Sequence, residues 1–265
     1  MLSLFFVVVV NVGVPQGSIL GPLCYVLFTN DLPETVLDTS SHAHWSHLTS
    51  HCEQCGGVCC FADDSTYSVS SLSQEDLQDK LNSRYATLSN YMGNTRLELN
   101  DDKTHLLIMA TKQKHRLLNM NIRINTPDEE IEPIKSEKLL GVIIQNDLKW
   151  NNYILHNDKS LIKQLSSRLN ALRIISNVGS FKVRLMVANG IFCSKLIFQI
   201  CLWGGTEDYL LDALQVVQNK AARFITRKDR YTPVSQILRH CGWLSVRQLV
   251  WYHSVILIHK TLQTR

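Results

Sequence analysis

The chain has 265 residues, 45% hydrophobic and 19% charged, with 12 Gly and 6 Pro. That is enough apolar material for one large domain or two modest ones, and it excludes a disordered or fibrous chain. The net charge of +4 conceals a division: residues 1–158 carry 11 Lys/Arg against 19 Asp/Glu (−8), and residues 159–265 carry 16 against 4 (+12).

Met1–Val10 is apolar but too short to span a bilayer, and it lacks a basic leader and a small-residue cleavage site. Its β-branched run Val7–Val10, after Phe5 and Phe6, predicts a buried strand, and a chain that opens inside such a strand is expected to be part of something longer. The Gly/Pro turn Gly13–Gly17 follows, and Ser18 is placed to cap a helix from Ile19 to about Asp31, closed by Pro33. Asp38–Gly57 is polar, rich in Ser, His and Cys, and predicts an irregular loop. Val58–Ala62 and Thr66–Val69 predict a β-hairpin around Asp63-Asp64. Ser73 and Asp76 mark the start of a helix to about Tyr91, striped by Leu77, Leu81, Tyr85 and Leu88. Thr104–Met109 predicts a strand, and Ile122–Ile124 with Leu139–Ile144 a strand pair across an acidic loop. From Ser160 the apolar period changes from two to 3.6, predicting helices along Leu161–Leu172, Phe181–Cys201, Leu210–Ile225 and Val246–Leu262. The expected architecture is α+β over residues 1–158, then an all-α region over 159–265.

Adjacent carboxylates in a hairpin turn repel one another unless a cation neutralises them, and Mg²⁺ prefers oxygen ligands with room for phosphates. Asp63-Asp64 taken alone reads first as a solvated β-turn. Its context is more specific. Gly13-Val14-Pro15-Gln16-Gly17-Ser18-Ile19-Leu20-Gly21-Pro22, Phe61-Ala62-Asp63-Asp64, Leu99-Asn100-Asp101-Asp102-Lys103-Thr104, and Leu140-Gly141-Val142 with Trp150 occur in that order. The series resembles the reverse transcriptases of non-LTR (LINE-type, jockey-like) retrotransposons. The resemblance extends into the tail, through Leu214-Gln215-Val216-Val217-Gln218-Asn219-Lys220-Ala221-Ala222-Arg223 and Thr232-Pro233-Val234.

That resemblance implies a partial polymerase palm followed by a helical thumb and tail, catalysing RNA-directed DNA synthesis with Mg²⁺ or Mn²⁺. The implied partners are an RNA template, a DNA primer and a dNTP, with no membrane and no obligate protein partner. Asp63 and Asp64 would hold metal. Gly13, Pro15, Gln16, Gly17 and Ser18 would lie against template and nucleotide. Lys103 would steady the leaving pyrophosphate, and Leu140, Gly141 and Val142 would form the primer grip. One departure stands beside these matches. The family carries another catalytic Asp on a strand before the Gly-Val-Pro-Gln-Gly turn, and no acidic residue precedes Gly13 here. The expectation is therefore a truncated, inactive polymerase whose sheet has an unprotected edge.

Two other readings compete. Cys52, Cys55, Cys59 and Cys60, with His42, His44, His47 and His51, could offer four zinc ligands, though the paired Cys-x-x-Cys spacing of a zinc site is missing and one of Cys59 and Cys60 is expected to be buried. Alternatively the chain is a non-catalytic nucleic-acid-binding remnant. Lys163, Arg168, Arg173, Lys182 and Arg184, then Lys220, Arg223, Arg227, Lys228 and Arg230, would then track a phosphate backbone. Trp203, Trp243 and Trp251 are expected in the core. Cys24, Cys193, Cys201 and Cys241 sit singly among apolar residues, which points to a reduced intracellular setting, cytoplasmic or nuclear.

Overall fold

The computed structural model describes residues 2–9, 20–37, 50–52, 56–61, 64–71, 73–100, 103–111, 113, 122–126, 130–176 and 179–263. They form two compact units, one of residues 1–137 with 145–148 and one of 138–144 with 149–265. The boundary falls ahead of the charge division at Lys159, because Val142, Tyr153 and Ile154 are buried among the helices of the second unit.

The first unit is built on a sheet in the order β2-β3-β4-β1-β6-β9. Strand β1 (Leu2–Val9) is central, antiparallel to β4 (Asp64–Val69) on one side and β6 (His105–Ile108) on the other. The short β5 (Glu98–Leu99) continues along the end of β1, at Val8 and Val9. β2 (Ser50–Cys52) and β3 (Gly56–Phe61) extend the sheet beyond β4, and β9 (Pro133–Ile134) adds a parallel strand to β6. One expectation is corrected here: Ser50–Cys52 is a strand rather than part of an irregular loop. β1 covers β4 along six residue pairs. A run of β-branched and aromatic residues finds ladder partners wherever an unpaired strand offers them.

α1 (Leu20–Phe28), α2 (Leu32–Leu37) and α3 (Gln74–Thr95) accompany this sheet. The Ser73 hydroxyl accepts from the Asp76 backbone N–H at 3.2 Å and starts α3 where the sequence places it. Leu81, Tyr85, Leu88, Tyr91 and Met92 of α3 are buried in one cluster with Leu32, Val36, Val58, Tyr67, Leu106 and Ile108. Strand alternation puts Ser65, Tyr67 and Val69 of β4 inward and Asp64, Thr66 and Ser68 outward. The anticipated pairing of Ile122–Ile124 with Leu139–Ile144 does not form. β7 (Ile124–Asn125) instead pairs with β8 (Glu130–Ile131), and β10 (Ser136–Leu139) with β11 (Val142–Gln145). Each strand takes its nearest neighbour in sequence, the loop that costs least entropy to close.

The second unit is helical: a π-helical turn Asn152–His156, then α4 (Leu161–Ser176), α5 (Phe181–Ala188), a π turn Asn189–Cys193, and α6 (Ser194–Leu196). α7 (Ile200–Trp203), α8 (Asp208–Thr226), α9 (Val234–Cys241) and α10 (Val246–Gln263) complete it. The single helix expected over 181–201 is interrupted, because Gln199 adopts a left-handed φ of 52°. Leu161, Leu165, Leu169 and Leu172 bury as their spacing predicts, against Phe192, Trp203, Leu210, Leu214 and Ile225. Trp203 is fully buried and Trp243 is partly buried against this core, but Trp251 is 70% exposed on α10, contrary to expectation. No helix among the described residues is long and apolar enough to cross a membrane.

Candidate functional site

Phe61 faces Asp64 in the β3–β4 register, and residues 62–63 between them, Asp63 included, lie outside the described residues. Asp64 opens β4 on its outward face and is half-buried. Its neighbour across the ladder is Val7 of β1. β4 and β6 both run antiparallel to β1, so both begin at the end of the sheet where β1 finishes. Lys103 stands two residues before β6, at that same end. Its backbone N–H is fixed by the Asn100 side-chain oxygen at 3.1 Å, and its side chain is exposed. Gly13, Pro15, Gln16, Gly17 and Ser18 follow β1 in sequence and lie outside the described residues. The topology thus gathers Asp64, Lys103 and the exit of β1 at one rim.

The donor set at that rim is small. β1 carries no ionisable residue over Leu2–Val9, and no group of three or more His, Cys, Asp or Glu among the described residues is placed to hold a metal ion. Asp64 by itself does not fit a two-ion site, which needs carboxylates shared between ions. Asp31, which matched no motif, has a structural role: it accepts from the Tyr91 hydroxyl at 2.7 Å, and burial, then this carboxylate, pushes the Tyr91 hydroxyl pKa up.

Of the cysteine cluster, Cys55, His42, His44 and His47 lie outside the described residues, and Cys52 is described only as part of β2. Cys59 and Cys60 are both exposed free thiols, which corrects the expectation that one is buried. They leave the covered stretch of β3 together with Phe61, itself 64% exposed, and as consecutive strand residues they project to opposite faces.

The second unit contributes the hairpin β10–β11. Leu140 (φ 45°) and Gly141 (φ 85°) both take positive φ, the condition of a type I′ turn. The glycine also permits close approach: a Cβ on Gly141 would stand 3.3 Å from the Phe198 ring. Val142, next in line, points into the core.

The basic residues divide by role. Arg184 is buried, and it donates from Nε to the Ile225 carbonyl at 2.8 Å and from Nη1 to the Gly179 carbonyl. Arg223 donates to the carbonyls of Asp229 (3.0 Å) and Thr232 (3.2 Å) and ties down the loop after α8. Arg168 donates to the Ile191 carbonyl, and Lys163 pairs with Asp158 at 2.7 Å. Arg173 lies over the Phe224 ring. Lys182, Lys220, Arg227, Lys228 and Arg230 are exposed. Sequence reasoning missed the structural use of Gln215 and Gln218. The Val246 N–H donates to Gln215 at 2.8 Å and Gln218 donates to the Leu244 carbonyl at 2.9 Å, so this polar pair anchors the start of α10.

Residues 6–163 match a family model described as reverse transcriptase (RNA-dependent DNA polymerase). Two Drosophila melanogaster proteins are similar over most of the chain. One, named probable RNA-directed DNA polymerase from transposon X-element, is 24% identical over 82% of this chain and 22% of its own length. The other, named probable RNA-directed DNA polymerase from transposon BS, is 24% identical over 93% of this chain and 26% of its own length. The chain spans about a quarter of the length of these curated relatives. No solved structure matches.

Proposed function

The chain belongs to the reverse transcriptase (RNA-dependent DNA polymerase) family, and on that premise we propose that it serves RNA-directed DNA synthesis as part of a polymerase palm with the thumb-like helices that follow. The observation that supports this reading is that Asp64, Lys103 and the last residues of β1 lie at one end of the sheet, within the family-matched residues. In this reading Asp63 and Asp64 are carboxylate ligands for Mg²⁺ or Mn²⁺. Gly13, Pro15, Gln16, Gly17 and Ser18 approach template and nucleotide, Lys103 faces the pyrophosphate, and Leu140, Gly141 and Val142 support the primer. The RNA template, DNA primer and dNTP are the proposed partners.

A second reading has its own observation. The strand beside Asp64 offers no carboxylate, so the chain is equipped to hold a primer–template and not to complete a two-ion site. Binding without catalysis is therefore the proposed behaviour of these 265 residues. The test is primer extension on an RNA template with Mg²⁺ or Mn²⁺, alongside binding of the same hybrid. Binding without extension is the expected result. Extension that Asp64→Asn abolishes would overturn the incomplete-site reading, and failure to bind would overturn both.

A further inference from the structure

The start of α10 is fixed to the helical core. Val246 is buried, and Leu249 and Val250 pack against the same cluster. The Val246 N–H donates to Gln215 of α8, and Val250 stands so close to Gly204 that a Cβ there would meet it at 2.7 Å. The helix continues to Gln263, and its second half carries a separate apolar stripe. Trp251, Val255, Ile258 and Leu262 are spaced four, three and four residues apart, the a/d pattern of a coiled-coil seam. At 3.6 residues per turn they lie opposite Val246, Leu249 and Val250, on the side of α10 turned away from the bundle. All four are exposed, by 70%, 44%, 58% and 67% in chain order. Aligned apolar side chains of this size are unfavourable in water until another surface covers them.

We propose that this stripe is a dimerisation seam, covered by α10 of a second copy of this chain lying antiparallel to it. The inference is independent of the polymerase reading. Three features favour a second copy over another occupant. The heptad spacing fits a helix laid alongside rather than a strand or a globular pocket. The flanks of the stripe are Tyr252 and His259 on one side and Ser254 and Thr261 on the other, and Lys260, the one Lys, Arg, Asp or Glu between Gln248 and Gln263, sits on the opposite face. Flanks without fixed charge neither repel an identical stripe nor select a complementary one. With Tyr252, itself 47% exposed, the stripe presents on the order of 600 Å² per copy, against about 800 Å² per partner in a standard interface. Antiparallel pairing sets Trp251 against Leu262 of the second copy and Val255 against its Ile258, whereas parallel pairing would set two Trp251 rings against each other. The helix is already held in place by the bundle, so pairing does not have to order it.

The test is sedimentation velocity of the full chain, without nucleic acid, from about 1 to 100 µM. The wild-type chain is expected to pass from monomer to dimer within that range, as an interface of this modest size implies. Ile258→Glu places a charge in the seam and is expected to weaken dimerisation at least tenfold. Leu257→Glu places the same charge one residue away, off the seam, and is expected to leave dimerisation within about twofold of wild type. Far-ultraviolet circular dichroism at the lowest concentration is expected to show the same helix content in all three proteins. A wild-type chain that stays monomeric throughout overturns the proposal, and so does a dimer that Ile258→Glu leaves intact. Equal loss in the two variants overturns it as well, since the stripe would then not be the contact. A monomer that instead sediments with vesicles of phosphatidylcholine and phosphatidylserine, and does so less in Ile258→Glu, would reassign the face to a lipid surface. None of these results bears on family membership or on nucleic-acid binding, which are read separately.

Discussion

Arg184 and Gly204 illustrate how much of this chain's chemistry is committed to holding the helices together. Arg184 satisfies the carbonyls of Ile225 and Gly179 from a nearly inaccessible position. Arg184→Met keeps the apolar stem but strands those carbonyls, and should cost about 1–3 kcal/mol in a urea titration. A Cβ on Gly204 would meet the Ile200 carbonyl oxygen at 2.5 Å and Val250 at 2.7 Å. Gly204→Ala should therefore destabilise by about 1–3 kcal/mol through overpacking, with nucleic-acid affinity unchanged below the transition. Neither role could be read from the sequence. A basic residue on a helix and a Gly after Trp look the same whether they face solvent, ligand or core. What was legible at this scale was the pairing of type with position: Asp63-Asp64 between apolar runs, Ser73 before Asp76, and Gly141 in a turn.

The elements themselves follow local rules where the rules are short-range. The β3–β4 pair and α3 lie where alternation and capping put them, since strand alternation and an N-cap are set by a few neighbouring residues. The partners of β1 were not legible, because ladder pairing between residues far apart depends on which edges are open rather than on β propensity. The break at Gln199 also escaped notice, for the side chain that takes a left-handed φ there is not one that usually does. The β10–β11 turn carries the same kind of tension. Leu140 sits at φ 45° in a position that Asn or Gly occupies at lower cost. Leu140→Asn should stabilise the chain by about 0.5–1 kcal/mol, read as a raised urea midpoint. An unchanged or lowered midpoint would show that the exposed leucine contributes packing that outweighs its backbone strain.

At the scale of the molecule, two balances set behaviour. The first is protonation in the helical unit. Burial pushes the Cys241 thiol up to about 11, and burial with the nearby Cys241 pushes Cys193 up to about 12, both from 9.0; Tyr153 is pushed by burial from 10.0 to about 12. Raised values mean that the unfolded chain loses these protons first as pH rises. Their contribution is intact below about pH 9 and declines toward pH 11–12. Tryptophan-monitored urea midpoints should fall between pH 8 and pH 10.5, and less steeply in a Cys193→Ala, Cys241→Ala variant.

The second balance is charge. The division into −8 and +12 was legible at once, and with the ordered motifs it carried the family and the expectation of nucleic acid. It could not say which cations face a ligand, because that depends on where the backbone carbonyls and carboxylates fall. The most direct measurement of the central claim is photo-cross-linking of the full chain to an RNA–DNA hybrid carrying 5-iodouridine or 4-thiouridine, mapped by peptide mass spectrometry. The account predicts cross-links at the β10–β11 hairpin, along 159–228 and at the Phe61–Asp64 turn, all lost at high salt. Cross-links confined to the acidic surface outside that turn, or binding that does not weaken with salt, would contradict it.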